Sequence, residues 1–164
     1  MITIYKNGEF HFQNKIYKCA LGRNGIKKKK QEGDGCTPEG IYSLGPLYYR
    51  SDRIKKVKTY FNTIPIEKDM FWSDYPQSQY YNKLIRFKDS SYENLYKENH
   101  TYDIILVINY NVSPIIKGKG SAIFLHVAKK DFSPTSGCIA LKKKCLFEIL
   151  EKLDKNMRIR IVSD

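Results

Sequence analysis

Ser121-Ala122-Ile123-Phe124-Leu125-His126-Val127-Ala128-Lys129-Lys130-Asp131-Phe132-Ser133-Pro134-Thr135-Ser136-Gly137-Cys138-Ile139-Ala140-Leu141 is the stretch from which the rest of the chain can be read. The apolar run Ala122 to Leu125 has the character of a strand and ends on His126. A polar connection broken by Pro134 follows, and Ser136-Gly137-Cys138 opens a second apolar run, Ile139 to Leu141. The imidazole and the thiol therefore sit at strand ends, twelve residues apart. That separation suits neighbouring strands joined by a loop.

A thiol of ordinary pKa is only a few per cent thiolate at neutral pH, so a nucleophilic cysteine needs a nearby base or an electropositive neighbour. His126 is the candidate base and Cys138 the candidate nucleophile. Gly137 lacks a Cβ and allows a sharp turn, which would present the N–H groups of Gly137 and Cys138 to a developing oxyanion, with the Ser136 hydroxyl as a further donor. An arbitrary Cys/His pair is more often a small buried thiol and a satisfied core histidine. The surrounding sequence shifts that balance.

Three blocks carry a resemblance to the L,D-transpeptidase (YkuD-type) catalytic domain. Thr135-Ser136-Gly137-Cys138 resembles the family's Ser/Thr-x-Gly-Cys signature, and Gly118-Lys119-Gly120-Ser121-Ala122-Ile123-Phe124-Leu125-His126 resembles its approach to the catalytic histidine. Gly33-Asp34-Gly35-Cys36-Thr37-Pro38-Glu39-Gly40-Ile41-Tyr42 is similar to its Gly-Asp-Gly-x-Thr-Pro segment. The chain departs from the pattern in two places. Ser136 stands where many members have a second histidine, and Ile139-Ala140-Leu141 lacks the arginine or asparagine that often follows the cysteine. The resemblance implies a divergent member with a mainly β fold with minor α, a mixed sandwich or barrel with one C-terminal helix packed on it. It also implies acyl transfer on peptidoglycan stem peptides through a Cys138 thioester, with cross-linking or D-amino-acid exchange as the outcome. Hydrolysis by an L,D-carboxypeptidase and a non-catalytic cell-wall-binding module are the alternatives. No cofactor is implied.

The 164 residues suffice for one domain spanning the chain, and 41% hydrophobic with 28% charged residues is the composition of a globular protein. No apolar run approaches the length of a membrane span. Lys and Arg number 29 against 17 Asp and Glu, a net charge of +12. Apart from Lys27 to Lys30 and Lys142 to Lys144 the basic residues are dispersed, and no nucleic-acid-binding signature accompanies them, which argues against DNA or RNA; an acidic cell-wall polymer or membrane surface fits the resemblance better, and a solvated basic surface with no partner is the plain alternative. The start, Met1 to Lys6, shows no signal-peptide pattern, whereas the resemblance implies the periplasm or cell envelope. The four cysteines form no Cys-x-x-Cys pair and the histidines lack zinc spacing, which argues against a metal site. Cys19 and Cys36 are a candidate disulfide pair. The oligomeric state is left open.

Residues 2–5, 9–12 and 15–21 alternate as the strands of a meander, with His11 on the face opposite Phe10 and Phe12. Residues 39–44 read as one strand. Residues 45–100 are irregular and rich in tyrosine, and Trp72, Tyr81 and Asn82 are the candidates there for substrate contact, as aromatic faces with polar tips suit a peptide groove. His100 reads as a solvated turn residue. Ile104 to Ile108 lacks alternation and predicts a strand buried on both faces. Leu146, Ile149, Leu150 and Leu153 share one face of a helix over 143–154, with Cys145 on it as packing, and a strand over 157–162 closes the chain.

Overall fold

The computed structural model describes residues 1–28 and 31–164, so Lys29 and Lys30 of the basic run lie outside the described residues. Alternating buried residues mark β1 (Ile2–Tyr5) and β2 (Glu9–Phe12), and with β3 (Lys15–Ala20), buried only at its end, they form an antiparallel meander. Phe10 and Phe12 point inward, and His11, on the other face, contacts the Glu9 carboxylate at 2.8 Å. After the short parallel pair β4 (Ile26–Lys27) and β5 (Thr37–Pro38) come β6 (Gly40–Tyr42) and β7 (Leu44–Tyr49). The single strand expected over 39–44 is thus divided at Ser43. Its first part pairs with the C-terminal strand and its second with the central strand β12 (Ile104–Ile108).

Residues 45–100 hold more regular structure than their composition suggests. Beyond β7 they contain β8 (Thr63–Pro65), β9 (Phe71–Ser73), β10 (Leu84–Ile85) and β11 (Tyr92–Asn94), strands of two or three residues, too short to show a period. Then come β12, β13 (Phe124–Val127), β14 (Ile139–Leu141), the helix α1 (Lys143–Lys152) and β15 (Ile159–Val162). Ten strands form one mixed sheet in the order β6-β15-β1-β2-β3-β14-β13-β12-β7-β8, and β10-β9-β11 form a separate small sheet.

The large sheet curls so that residues from both its halves meet in one core: Ile2, Ile4, Phe10 and Phe12 on one side, Leu47, Leu106, Leu125 and Ile139 on the other. The helix adds Leu146, Ile149 and Leu150 to this core, each worth about 2 kcal/mol of burial. The opposite face of β12 to β14 packs on a second cluster that includes Trp72, Met70, Leu95, Tyr102, Phe124 and Cys138. The fold is therefore mainly β with one helix, as expected. No helix among the described residues is long and apolar enough to cross a membrane.

Candidate active site

Parallel pairing of β13 with β14 sets the site. Leu125 lies opposite Ile139 and His126 opposite Ala140, so by alternation Phe124, His126, Cys138 and Ala140 share one face while Leu125, Val127, Ile139 and Leu141 fill the core on the other. His126 and Cys138 both line a cavity of about 420 Å³ on that face. Each is nearly buried, at 7% and 8% exposure, at the cavity's floor.

The Cys138 thiol is cradled by the backbone that leads into β13. Its S–H donates to the Ala122 carbonyl at 3.2 Å, and the Phe124 N–H donates to its sulfur at 3.4 Å. The first contact holds the thiol, and the second favours negative charge on sulfur. The His126 ring contacts the Val127 carbonyl through Nδ1 at 2.9 Å. A carbonyl only accepts, so Nδ1 carries the proton and Nε2 of the neutral ring is left with a lone pair. Burial, partly opposed by the Val127 carbonyl, lowers the pKa of this histidine to about 4, so it is a neutral base at pH 7. Tyr102 packs edge-on against the imidazole with ring centroids 5.2 Å apart and donates its hydroxyl to Glu93 at 2.7 Å. Burial, with the charges of Cys138 and Glu93, pushes its phenol well above the ordinary range and keeps it a donor.

The turn before Cys138 is clamped by Thr135, whose Oγ1 donates to the Cys138 carbonyl at 2.6 Å and accepts the Gly137 N–H at 3.1 Å. The Gly137 N–H is consequently spent inside the turn, a correction to the expectation that it faces an oxyanion. What residue 137 requires of glycine is a φ of +139°, a conformation L side chains rarely adopt. The Ser136 hydroxyl oxygen accepts from Arg23 Nη1 at 3.4 Å and retains its own proton to donate.

Trp72, Tyr81 and Asn82 are placed differently from their sequence reading. All three are buried, at 6%, 2% and 4% exposure, and none lines the cavity, so the structure offers them no direct contact with a substrate there. They form a scaffold behind it. Asn82 Oδ1 accepts from Trp72 Nε1 and from the Ala122 N–H, both at 3.0 Å, while its Nδ2 donates to the Tyr110 and Asn111 carbonyls. This fixes Ala122 at a φ of +52° and aims its carbonyl at the Cys138 thiol. Tyr81 donates to Glu32 at 3.2 Å and accepts the Gly120 N–H at 2.9 Å, and Glu32 accepts from Ser121 at 2.6 Å. The polar tips that suggest a groove are satisfied internally, that of Trp72 by Asn82 and those of Tyr81 and Asn82 by segments more than twenty residues away.

Sequence reasoning passed over Arg23, which lines the cavity beside Ser136. Its backbone N–H donates to the Thr135 carbonyl, and its side chain lies over Gly35, where a Cβ would meet Cζ at 2.6 Å. The glycine of Gly33-Asp34-Gly35 was the one signal that something packs there. Glu93, Lys97 and Lys129 also line the cavity. Cys19, Cys36, Cys138 and Cys145 are all free thiols, so the candidate pair Cys19 and Cys36 is not bridged. Among the described residues no group of three or more His, Cys, Asp or Glu could hold a metal ion.

The model of the L,D-transpeptidase catalytic domain, YkuD, matches residues 1–161. No curated relative matches the chain significantly. Among solved structures, the helical cell shape determining protein Pgp2 from Campylobacter jejuni is similar at 19% identity with a TM-score of 0.47, over 99% of this chain and 47% of that one. A single-substitution mutant of the same protein gives 19% and 0.46, over 99% and 46%. The chain thus spans about half the length of the solved structures it matches. A family match running from the first strand to the last, over a mainly β fold that sets a histidine and a cysteine on one sheet face, places the chain in the L,D-transpeptidase catalytic-domain (YkuD) family.

Proposed function

We propose that this chain is a cysteine-dependent acyltransferase acting on peptidoglycan stem peptides, with Cys138 as nucleophile and His126 as base. The observation that carries the reading is the shared cavity: two adjacent parallel strands put the imidazole and the thiol on one face, at the floor of a 420 Å³ recess. The family's action on peptidoglycan at the cell envelope supplies the substrate class.

In the proposed reaction the thiol turns from the Ala122 carbonyl towards His126 Nε2 and gives up its proton as sulfur attacks the carbonyl between an L-centre and a D-residue. An S–C bond forms, the C–N bond breaks, and the imidazolium returns the proton to the departing amine. The thioester is then cleaved by an amine of a second stem or by a free D-amino acid, with His126 accepting that amine's proton and returning it to sulfur. Water in place of the amine gives the carboxypeptidase. The Ser136 hydroxyl is the side-chain donor available to the oxyanion.

Mass spectrometry of stem-peptide substrates incubated with the protein tests this. Turnover by the wild type and none by Cys138→Ala is the expected result, and a cross-linked or D-amino-acid-exchanged product identifies transfer. Products of hydrolysis alone would favour the carboxypeptidase. An inert wild type whose Cys138 is alkylated by iodoacetamide no faster than a free thiol would leave a cell-wall-binding role instead.

A further inference from the structure

We propose that Arg23 is the specificity-determining residue of the site: its guanidinium binds the free carboxylate of the departing D-residue, which confines the reaction to L,D bonds at a chain terminus. This rests on the acyl-transfer reading above.

Three observations converge on it. Arg23 and Cys138 line the same cavity, and Arg23 Nη1 reaches the Ser136 hydroxyl two residues from the nucleophile. The guanidinium is directed by the Gly-Asp-Gly loop: Nη2 donates to the Gly33 carbonyl at 3.3 Å and the side chain rests over the bare Cα of Gly35. The other cations of the cavity are less suited. Lys97 lies on the Glu93 carboxylate at 2.9 Å, and Lys129 offers a compact ammonium on a flexible stem rather than a planar fork.

The geometry of the substrate supplies the rest. In a terminal D-residue the carboxylate carbon is three bonds from the scissile carbonyl carbon, a reach of about 4 Å. A carbonyl held at the Cys138 sulfur therefore delivers that carboxylate to its immediate surroundings, where the Ser136 end of the turn presents the fork. An amidated or extended D-residue would leave the guanidinium facing a neutral group, losing a charge-assisted pair.

The test measures binding, so that turnover is not needed to read it. In the Cys138→Ala protein, calorimetry compares a stem tetrapeptide ending in D-alanine with its C-terminal carboxamide. The free acid should bind about tenfold or more tighter. Adding Arg23→Gln should bring the two within about twofold, Arg23→Lys should restore part of the difference, and Lys129→Gln should leave it intact. A merely structural Arg23 would weaken both ligands alike and leave their ratio unchanged. Equal binding of acid and amide, binding of neither, or a preference that survives Arg23→Gln in a protein with an unchanged melting curve would overturn the inference. Wild-type turnover of acid and amide at equal rates would likewise overturn it while leaving the acyl-transfer reading standing.

Discussion

At a pKa of about 4 the His126 imidazole stays unprotonated through the physiological range, because burial penalises its charged form more than the Val127 carbonyl compensates. The ring is then neutral at rest, so no imidazolium stands beside the Cys138 sulfur. In the reaction proposed above, so weak a base would gain its proton only as the sulfur bonds to carbon, tying deprotonation to attack. For that proposed reaction the acid limb of kcat/KM should have its midpoint near pH 4, and a fall centred near 6.5 would show that the ring is solvated when substrate is bound. The same shift governs stability. The folded state binds fewer protons than the unfolded chain between the two pKa values, so stability rises with pH across that window. His126 contributes fully above about pH 6.5, and its contribution, roughly 3 kcal/mol at most, is lost as pH falls to about 4. In His126→Asn, which cannot titrate, urea unfolding should show a flatter pH dependence over that interval.

Among the elements, the end of β3 is where three pieces of the site are joined. Gly22 bridges in parallel to Thr135, its N–H donates to Thr37 Oγ1 at 2.9 Å, and the neighbouring Leu21 carbonyl accepts the Thr135 N–H. A Cβ on Gly22 would lie 2.4 Å from the Gly35 carbonyl oxygen and 2.9 Å from the Thr37 nitrogen, backbone atoms that cannot rotate away. Gly22→Ala should therefore push the Gly-Asp-Gly loop off the strand and cost about 2 kcal/mol or more, as overpacking does. Circular-dichroism melts would measure the loss, and slower alkylation of Cys138 would show that it reaches the turn. A variant as stable and as reactive as wild type would mean the loop shifts freely. This junction explains how much of the site was legible. The Thr-Ser-Gly-Cys and Gly-Asp-Gly blocks are local patterns, visible in one line of sequence. Arg23 matters only because residue 35 leaves room for it, and Asn82 only because residues 72, 110, 111 and 122 converge on it. Such relations between distant segments leave no periodic trace.

Across the whole molecule, the elements with a clear burial pattern were the legible ones: the alternating β1 and β2, the uniformly apolar β12 and the one-sided helix α1. What failed to show were the tiny strands of residues 45–100 and the polar group that ties the two sides of the sheet together. Asp103 precedes β12 with its side chain fully buried, and its carboxylate receives Arg53 at 2.8 Å, Lys143 at 2.9 Å and His100 at 2.8 Å. His100, largely exposed as a turn residue should be, nonetheless serves this network. Burial acts to raise the Asp103 pKa, and the hydrogen bonds from Arg53, Lys143 and His100 more than reverse it. The helix needs the tie. It begins at Lys143 after Lys142, which gives no side-chain cap, and has no acid in its first turn. Asp103 thus anchors through Lys143 the helix that follows β14, and through Arg53 the loop that follows β7. Asp103→Asn keeps the shape and removes the charge. It should cost about 3 kcal/mol, lowering Tm on the order of 5–10 °C. Because the folded carboxyl is held below its unfolded value, wild type should lose this advantage as pH falls below about 4, and the melting temperatures of the two proteins should converge there. Equal melting temperatures at pH 7 would show instead that water serves Arg53, Lys143 and His100 as well as Asp103 does, leaving the packing of Leu146, Ile149 and Leu150 alone to hold the helix.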